Sequence, residues 1–517
     1  MKPAILLLLI AALLSAQSAT PADLTRTVRI AGFLTNSVTG EPVRRAAVGL
    51  QFLSGVRPGQ AKQTALADGG GHFEFEGLVP GQYHLAVERR GYPKQNVSPP
   101  DGLSIQDDRL DLSFRVEPFA ALTGKVLDEN GDSIAGAGIQ LIRSEIQSGR
   151  RELRPALSTV TDDRGEYRVA ALPSGRYYVS AYARAQESSF GEVYPRRFFP
   201  GSLEIITASA LELEAGANQH ADFRLTPEAA FHVRGKVSGS QELSGLAVVL
   251  SPRNPAERFG AIGYQVSLSG DGQFDIAGVG PGQYLLTASG NRGNALQSAS
   301  QLIAVGAADL EGLTISPQRA SDLSGRLTVE GDTPASVAVT VSLFPSDTIT
   351  RPILFARVAA NQSFSIPNVL PGDYTLQANV PVPYYLKAAT VSGMDALSGL
   401  VTVPDSGGTA PLEIVLGSNG GEVSGTVKMQ DRPAANCVVL LTRPSGLVPS
   451  QDKFAQTDAN GKFVITQAAP GDYVLYAFRD LAGVEYRNPQ VLSQFSGATV
   501  KITEGAKQTV DLRLNVN

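Results

Sequence analysis

Five times along this chain an aromatic residue precedes a tyrosine by ten positions: Phe73 and Tyr83, Tyr167 and Tyr177, Phe274 and Tyr284, Phe364 and Tyr374, Phe463 and Tyr473. Just ahead of each tyrosine stands a turn dipeptide: Pro80-Gly81, Ser174-Gly175, Pro281-Gly282, Pro371-Gly372 and Pro470-Gly471. A spacing that holds five times while the surrounding sequence drifts marks one structural unit copied along the chain. The tyrosines follow one another at intervals of 94, 107, 90 and 99 residues. About 100 residues is enough for a self-sufficient β-sandwich core. The 53 glycines and 32 prolines are spread throughout the 517 residues and suit short strands and many turns.

Within each unit the apolar residues alternate. Phe73 and Phe75 are followed after the turn by Tyr83, Leu85 and Val87, and the other four units repeat the pattern, as in Phe463, Ile465, Tyr473, Leu475 and Ala477. Period two buries one face of each strand. Proline presets the first corner of a type II turn and glycine takes the positive φ of the second, so the pair of strands reads as a hairpin. The tyrosines are expected as core or corner residues with a bonded hydroxyl, not as catalytic phenols. Each unit opens with a glycine-bearing strand: Gly32, Gly124, Gly235, Gly325 or Gly425. Each closes with another alternating strand, from Leu110–Val116 in the first unit to Val510–Leu514 in the fifth. Counting gives six or seven strands per unit, enough for two packed sheets. The expected organisation is residues 25–117, 118–227, 228–317, 318–417 and 418–517, five sandwich modules joined by short junctions that bend but do not tether loosely. Asp128, Asn130 and Asp132, and likewise Asp458 and Asn460, read as turn residues. They lack the glycine and distal bidentate acid of a calcium loop.

Residues 1–19 read as a secretory signal: Met1-Lys2, an apolar run to Leu14, then small residues for cleavage. The run is too short to span a bilayer comfortably, and no second spanning run follows, so the mature chain is expected to be exported without a transmembrane segment. The destination is the extracellular space, the cell surface or the periplasm. The only cysteine, Cys437, lies in an apolar strand and is expected to be a buried thiol. A formal charge of −5 with no Lys/Arg-rich stripe gives no electrostatic support to a nucleic-acid partner.

The Gly-[Lys/Arg]-Val openings, the Asp-x-x-Gly turn followed by Ile134-Ala135-Gly136-Ala137, and the Pro-Gly-x-Tyr motif resemble the carboxypeptidase regulatory-like domain. The resemblance covers five copies and is strongest in modules two, three and five. In module four, Asn361-Gln362-Ser363 replaces the Asp/Gly-rich turn. The resemblance implies an all-β chain: a tandem array of five transthyretin-like, Ig-like Greek-key sandwiches, close to the Cna B-type modules of adhesins. In carboxypeptidases the domain accompanies a separate zinc peptidase, of which this chain carries no ligand pattern; the nearest motif, His72-Phe73-Glu74, supplies too few ligands. Lysine–asparagine crosslinks known from related modules find lysine in the first strand only at Lys125 and Lys236, with Arg326 and Thr426 elsewhere.

The expected function is non-catalytic: an array that binds carbohydrate or an extracellular or envelope protein, with no cofactor and no metal. A purely structural stalk is the alternative, and an enzyme with an unrecognised site a remote second one. With no tryptophan as a sugar platform, the candidate contact residues are the aromatics outside the repeated core positions: Tyr194, Phe198, Phe199, Tyr384, Tyr385 and Tyr486.

Overall fold

The computed structural model describes residues 26–55, 62–98, 102–183, 192–238, 245–254, 257–258, 264–331 apart from 293–294, 337–346, 352–404, 409–444 and 451–515. The expected signal, 1–19, is outside these. Among the described residues the regular secondary structure is almost wholly strand, with one helical turn at Pro489–Leu492 and one 3-10 turn at Ile205–Thr207. It divides into two compact units, residues 1–119 and 120–517. Five separate apolar cores form, each built on one of the five aromatic–tyrosine pairs.

The first module displays the plan. Val28–Asn36 lies between His72–Leu78 and Arg109–Val116 in a three-stranded sheet. Facing it, Gln63–Leu66, Ala47–Gly55, Gly81–Arg89 and Tyr92–Asn96 form the second sheet in that order, with Leu103–Ile105 also on Gly81–Arg89. That is eight strands rather than six or seven. The opening strand pairs antiparallel with the aromatic strand and parallel with the closing strand.

The hairpin expectation needs correcting. The aromatic strand belongs to one sheet and the tyrosine strand to the other in modules one to four, and in module five the two do not pair with each other although the last strand joins their layers into one sheet. The ten-residue spacing therefore serves an arch that crosses the sandwich, so that both apolar sets face one core from opposite sides. Alternation says which face is buried; it does not say which strand is the neighbour. The turn differs too. The glycines 175, 282, 372 and 471 have φ of 144°, 158°, 139° and 143°, far from the +80° of a type II corner, and each begins its tyrosine strand.

A bulge supplies the rest of the spacing. Six residues before each tyrosine a left-handed residue appears: Gly77, Ala171, Gly278, Asn368 and Gln467, with φ of 67°, 61°, 73°, 56° and 56°. At each one the pairing with the opening strand slips, two residues facing one. The opening glycines also acquire a reason. Each sits directly opposite the aromatic residue, as in Gly32 with Phe73 and Gly235 with Phe274. A Cβ on Gly235 would lie 2.5 Å from the Leu313 carbonyl oxygen and 2.6 Å from the Phe274 ring. The ring fills the space the missing side chain leaves.

The Asp turns behave as turns. Asp68, Asp128, Asp162 and Asp458 each accept backbone N–H groups two and four residues on through one carboxylate oxygen. In module four Ala359 stands at the equivalent place, and Gln362 takes the positive φ (63°) where Gly71, Gly165, Gly272 and Gly461 stand elsewhere. Module four also departs in topology: Tyr385–Val391 joins the closing strand Leu412–Gly417 in the first sheet. In module five the last strand, Leu512–Asn515, pairs with both Gly421–Met429 and Gly471–Phe478 and so links the two sheets. Lys125 and Lys236 alternate with core-facing Gly124, Val126 and Val237, which turns both away from the interior.

Junction segments are tied down. Glu228–Ala229 pairs with Glu192–Phe198 of module two, and Gln318–Arg319 with Ala295–Val305 of module three. In the first unit Glu117 exchanges two hydrogen bonds with the Gln95 side chain, at 2.6 and 2.9 Å.

Candidate functional site

Among the described residues a site-like depression lies on the outer face of the first sheet of module two, in which Ala120–Leu127 is flanked by Glu166–Leu172 and the two short closing strands. There Ala120–Leu127 turns Leu122, Gly124 and Val126 inward, which leaves Thr123 and Lys125 pointing out. Glu166–Leu172 alternates likewise and presents Glu166 and Arg168 outward. The closing strand is split into Asn218–His220 and Phe223–Arg224, and His220 and Asp222 flank the break. These residues, with Asp162 and Tyr167, line an open cleft of about 500 Å³.

Its polar groups are already organised. Thr123 Oγ1 is 3.2 Å from His220 Nδ1, and His220 Nε2 is 2.8 Å from Asp222 Oδ1. Asp222 also accepts the Lys125 N–H at 2.7 Å. The Tyr167 hydroxyl donates to the Ala221 carbonyl at 2.6 Å, and burial, then the nearby Asp222 charge, pushes the phenol well above its ordinary range. A phenol so held is no base at neutral pH. The cleft combines three cationic or ionisable donors with three carboxylates, and its one aliphatic hydroxyl, Thr123 Oγ1, lies within reach of both the His220 ring and the Gln219 carbonyl, at 3.2 and 3.3 Å. It can hold a polar ligand by hydrogen bonds. Sequence reasoning missed it. The available signal was the polar half of the alternation, Thr123/Lys125 beside Glu166/Arg168, together with the His220-x-Asp222 pair.

The candidate aromatics fall in the segments that follow each tyrosine strand, and there they pack. Phe198 is fully buried with Ile142 and Ile205 on the outer face of module two's second sheet. Tyr385 is 2% exposed, with its ring against Gly417. Neither offers a ring face to a ligand, so both leave the set of contact residues. Phe199 is half-buried, edge-on to Phe223 at 6.1 Å. Tyr194 is half-buried with its hydroxyl 3.4 Å from Glu129 Oε2, and Tyr384 rests on the core of module four. Tyr486 is edge-on to Phe454 at 5.7 Å within a satellite core with Tyr476, Phe478, Val484 and Leu492. These six do not converge on one place.

Cys437 is buried in the core of module five. Among the described residues no three His, Cys, Asp or Glu side chains gather as a metal-binding group, and no helix is long and apolar enough to cross a membrane.

Residues 29–114 and 121–226 match the carboxypeptidase regulatory-like domain. The matched segments coincide with modules one and two, whereas the motifs pointed most strongly to two, three and five. No curated protein sequence matches the chain. Similar solved structures include GBS52, the minor pilin of the gram-positive pathogen Streptococcus agalactiae, at 14% identity and a TM-score of 0.24, covering 39% of this chain and 96% of that one. The TIE protein of Bacillus anthracis is similar at 10% identity and a TM-score of 0.16, covering 66% and 64%. BcpA, the major pilin subunit of Bacillus cereus, is similar at 11% identity and a TM-score of 0.14, covering 76% and 99%.

Proposed function

We propose that the chain is an exported, non-catalytic array of five sandwich modules, 25–117, 118–227, 228–317, 318–417 and 418–517, that binds a hydroxyl-rich ligand of the extracellular or envelope carbohydrate class. The observation that carries this reading is the cleft of module two, where hydrogen-bond donors and acceptors of both charges line one open face. Mixed charge disfavours a polyanion, and side chains such as Asp222, His220 and Arg168 suit hydroxyl groups by hydrogen bonding. The leader read over residues 1–19 supports export.

Retention on a glycan and cell-wall array tests it. Arg168→Ala and His220→Ala are expected to reduce retention at least about tenfold, the loss of one or two hydrogen bonds to a charged group, with melting temperature unchanged. Retention that survives both substitutions, or no retention of the native chain at all, overturns the reading. The alternative of a structural spacer is favoured by the tied-down junctions at Glu228–Ala229 and Gln318–Arg319.

A further inference from the structure

The longest strand pair of module two, Gly138–Gln147 with Arg150–Val160, matches ten residue pairs, with one bulge at Ala156, and ends in a two-residue tip. Ser148 and Gly149 at that tip both have positive φ, 48° and 76°, as a tight type I′ turn requires. Ile139 and Leu141 at the base belong to the module's core, while Ser144 to Gln147 extend beyond it. At ~3.3 Å per residue the pair reaches about 30 Å.

Its tip meets module five. The Gly149 carbonyl accepts the Arg487 N–H at 2.9 Å. Gly149 itself lies on the Tyr486 ring, where a Cβ would come within 2.5 Å of Cε2. Arg151 donates from Nε to Glu485 Oε1 at 2.7 Å, and its Nη2 is 2.6 Å from the same oxygen. Arg150 acts electrostatically on Asp452, a buried carboxyl that accepts from Thr442 Oγ1 at 2.7 Å and lies 3.8 Å from Arg487. One arginine on the tip thus pairs directly with an acid on the receiving surface, and a second lies within electrostatic reach of another. That surface is itself an addition: residues 480–495 fold back over the tyrosine strand, with Val484 and Leu492 on Tyr476 and Phe478, and Asn488 caps the short turn at Pro489–Leu492.

We propose that this hairpin tip is a clasp that closes modules two to five into one unit, and that screening or reversing its charge pairs opens it. The partner of the tip is thus a segment of the same chain, residues 452 and 485–487. The contact is small and largely polar, and the Arg151–Glu485 pair is partly exposed on the arginine side, so salt reaches it. What holds it closed is tethering: both halves belong to one chain, which replaces a bimolecular encounter by a high effective concentration. The inference is independent of the carbohydrate reading.

Hydrogen exchange on the full chain tests it. The native protein is expected to protect residues 148–151 and 485–488 at low salt. Arg151→Glu should speed exchange in both segments by about tenfold or more, while residues 471–478 keep their protection. The double change Arg151→Glu with Glu485→Arg should restore protection, and 1 M salt should mimic the single change. Gly149→Val, which places a side chain against Tyr486, should open the clasp without altering charge. Exchange that is unchanged by Arg151→Glu and by Gly149→Val overturns the proposal. So does a double change that fails to recover protection while the tyrosine strand stays protected.

Discussion

A tyrosine at the start of a buried strand must place its hydroxyl somewhere, and four of the five repeated tyrosines solve this in the same way. Tyr83, Tyr177, Tyr284 and Tyr374 donate to the carbonyl four residues earlier, at 2.6, 2.9, 2.9 and 2.8 Å. Tyr473 is different: the Arg443 guanidinium stands 4.3 Å from its ring centroid and bonds the Pro470 carbonyl, and the hydroxyl makes no such bond. Tyr284→Phe is therefore expected to cost about 1 kcal/mol in denaturant unfolding, and Tyr473→Phe close to nothing. Equal costs would show that the bond to the carbonyl is not what the hydroxyl contributes. A second residue-scale consequence concerns acid. Burial raises the Asp452 carboxyl from 3.8 to about 6, against the pull of Thr442, Arg487 and Arg150. A carboxyl raised on folding contributes stability that is complete below its unfolded value and is lost as the pH rises through about 6. The full effect is on the order of 3 kcal/mol. Wild type minus Asp452→Asn stability, measured by thermal unfolding from pH 4 to 8, should fall with rising pH and flatten above 7. A flat difference would mean that the carboxyl is hydrated after all.

At the scale of strands, two glycine-dependent devices repeat, and their costs can be separated. Gly235→Ala drives a methyl group into the Leu313 carbonyl and the Phe274 ring, 2.5 and 2.6 Å away. Overpacking of this kind costs about 1–3 kcal/mol, and chemical denaturation of the variant checks it. Ala171 shows the opposite case. It occupies the bulge position with φ of 61°, where left-handed backbone costs a non-glycine residue about 1 kcal/mol. Ala171→Gly should therefore leave stability equal or raise it by up to about 1 kcal/mol, whereas Gly278→Ala should lower it. These devices also mark how far the sequence could be read. Phe73, Phe75, Tyr83, Leu85 and Val87 announced their burial by alternation, and all five are buried. Their partners were silent, because the same alternation suits a hairpin and an arch equally well. The bulge was hidden because Gly77, Ala171, Gly278, Asn368 and Gln467 share a conformation but not a residue type. Tyr178, Tyr182, Tyr476 and Phe478 did carry an unread signal. Apolar residues on both faces of the tyrosine strand in modules two and five foretold outer coverings, which is where Phe198 and Tyr486 went. The cleft of module two was harder, since His220 and Asp222 meet Thr123 and Lys125 only through a parallel pairing of strands 97 residues apart in sequence.

At the scale of the molecule, stability should follow contacts rather than repeats. Residues 1–119 form one compact unit with its own core from Val28 to Val116, so heat should melt it separately from residues 120–517. Calorimetry of the full chain is expected to resolve at least two transitions, and a chain cut after Phe119 should retain one of them unshifted. Within residues 120–517 independence ends. Module three begins as a strand on module two's sheet, module four as a strand on module three's, and the hairpin tip of module two reaches residues 485–487 of module five. Four modules so linked cannot unfold as four unrelated events. Removing residues 418–517 should therefore do more than subtract module five's share of the heat. It strips Glu485, Tyr486 and the Arg487 N–H from the tip, so the remaining upper transition should move down by about 2 °C, as a loss of about 1 kcal/mol does in a unit of this size. Protection at residues 148–151 should vanish with it. If the truncated chain keeps the upper transition in place, modules two to five melt as beads on a string, and the pairings between them are contacts without energetic consequence.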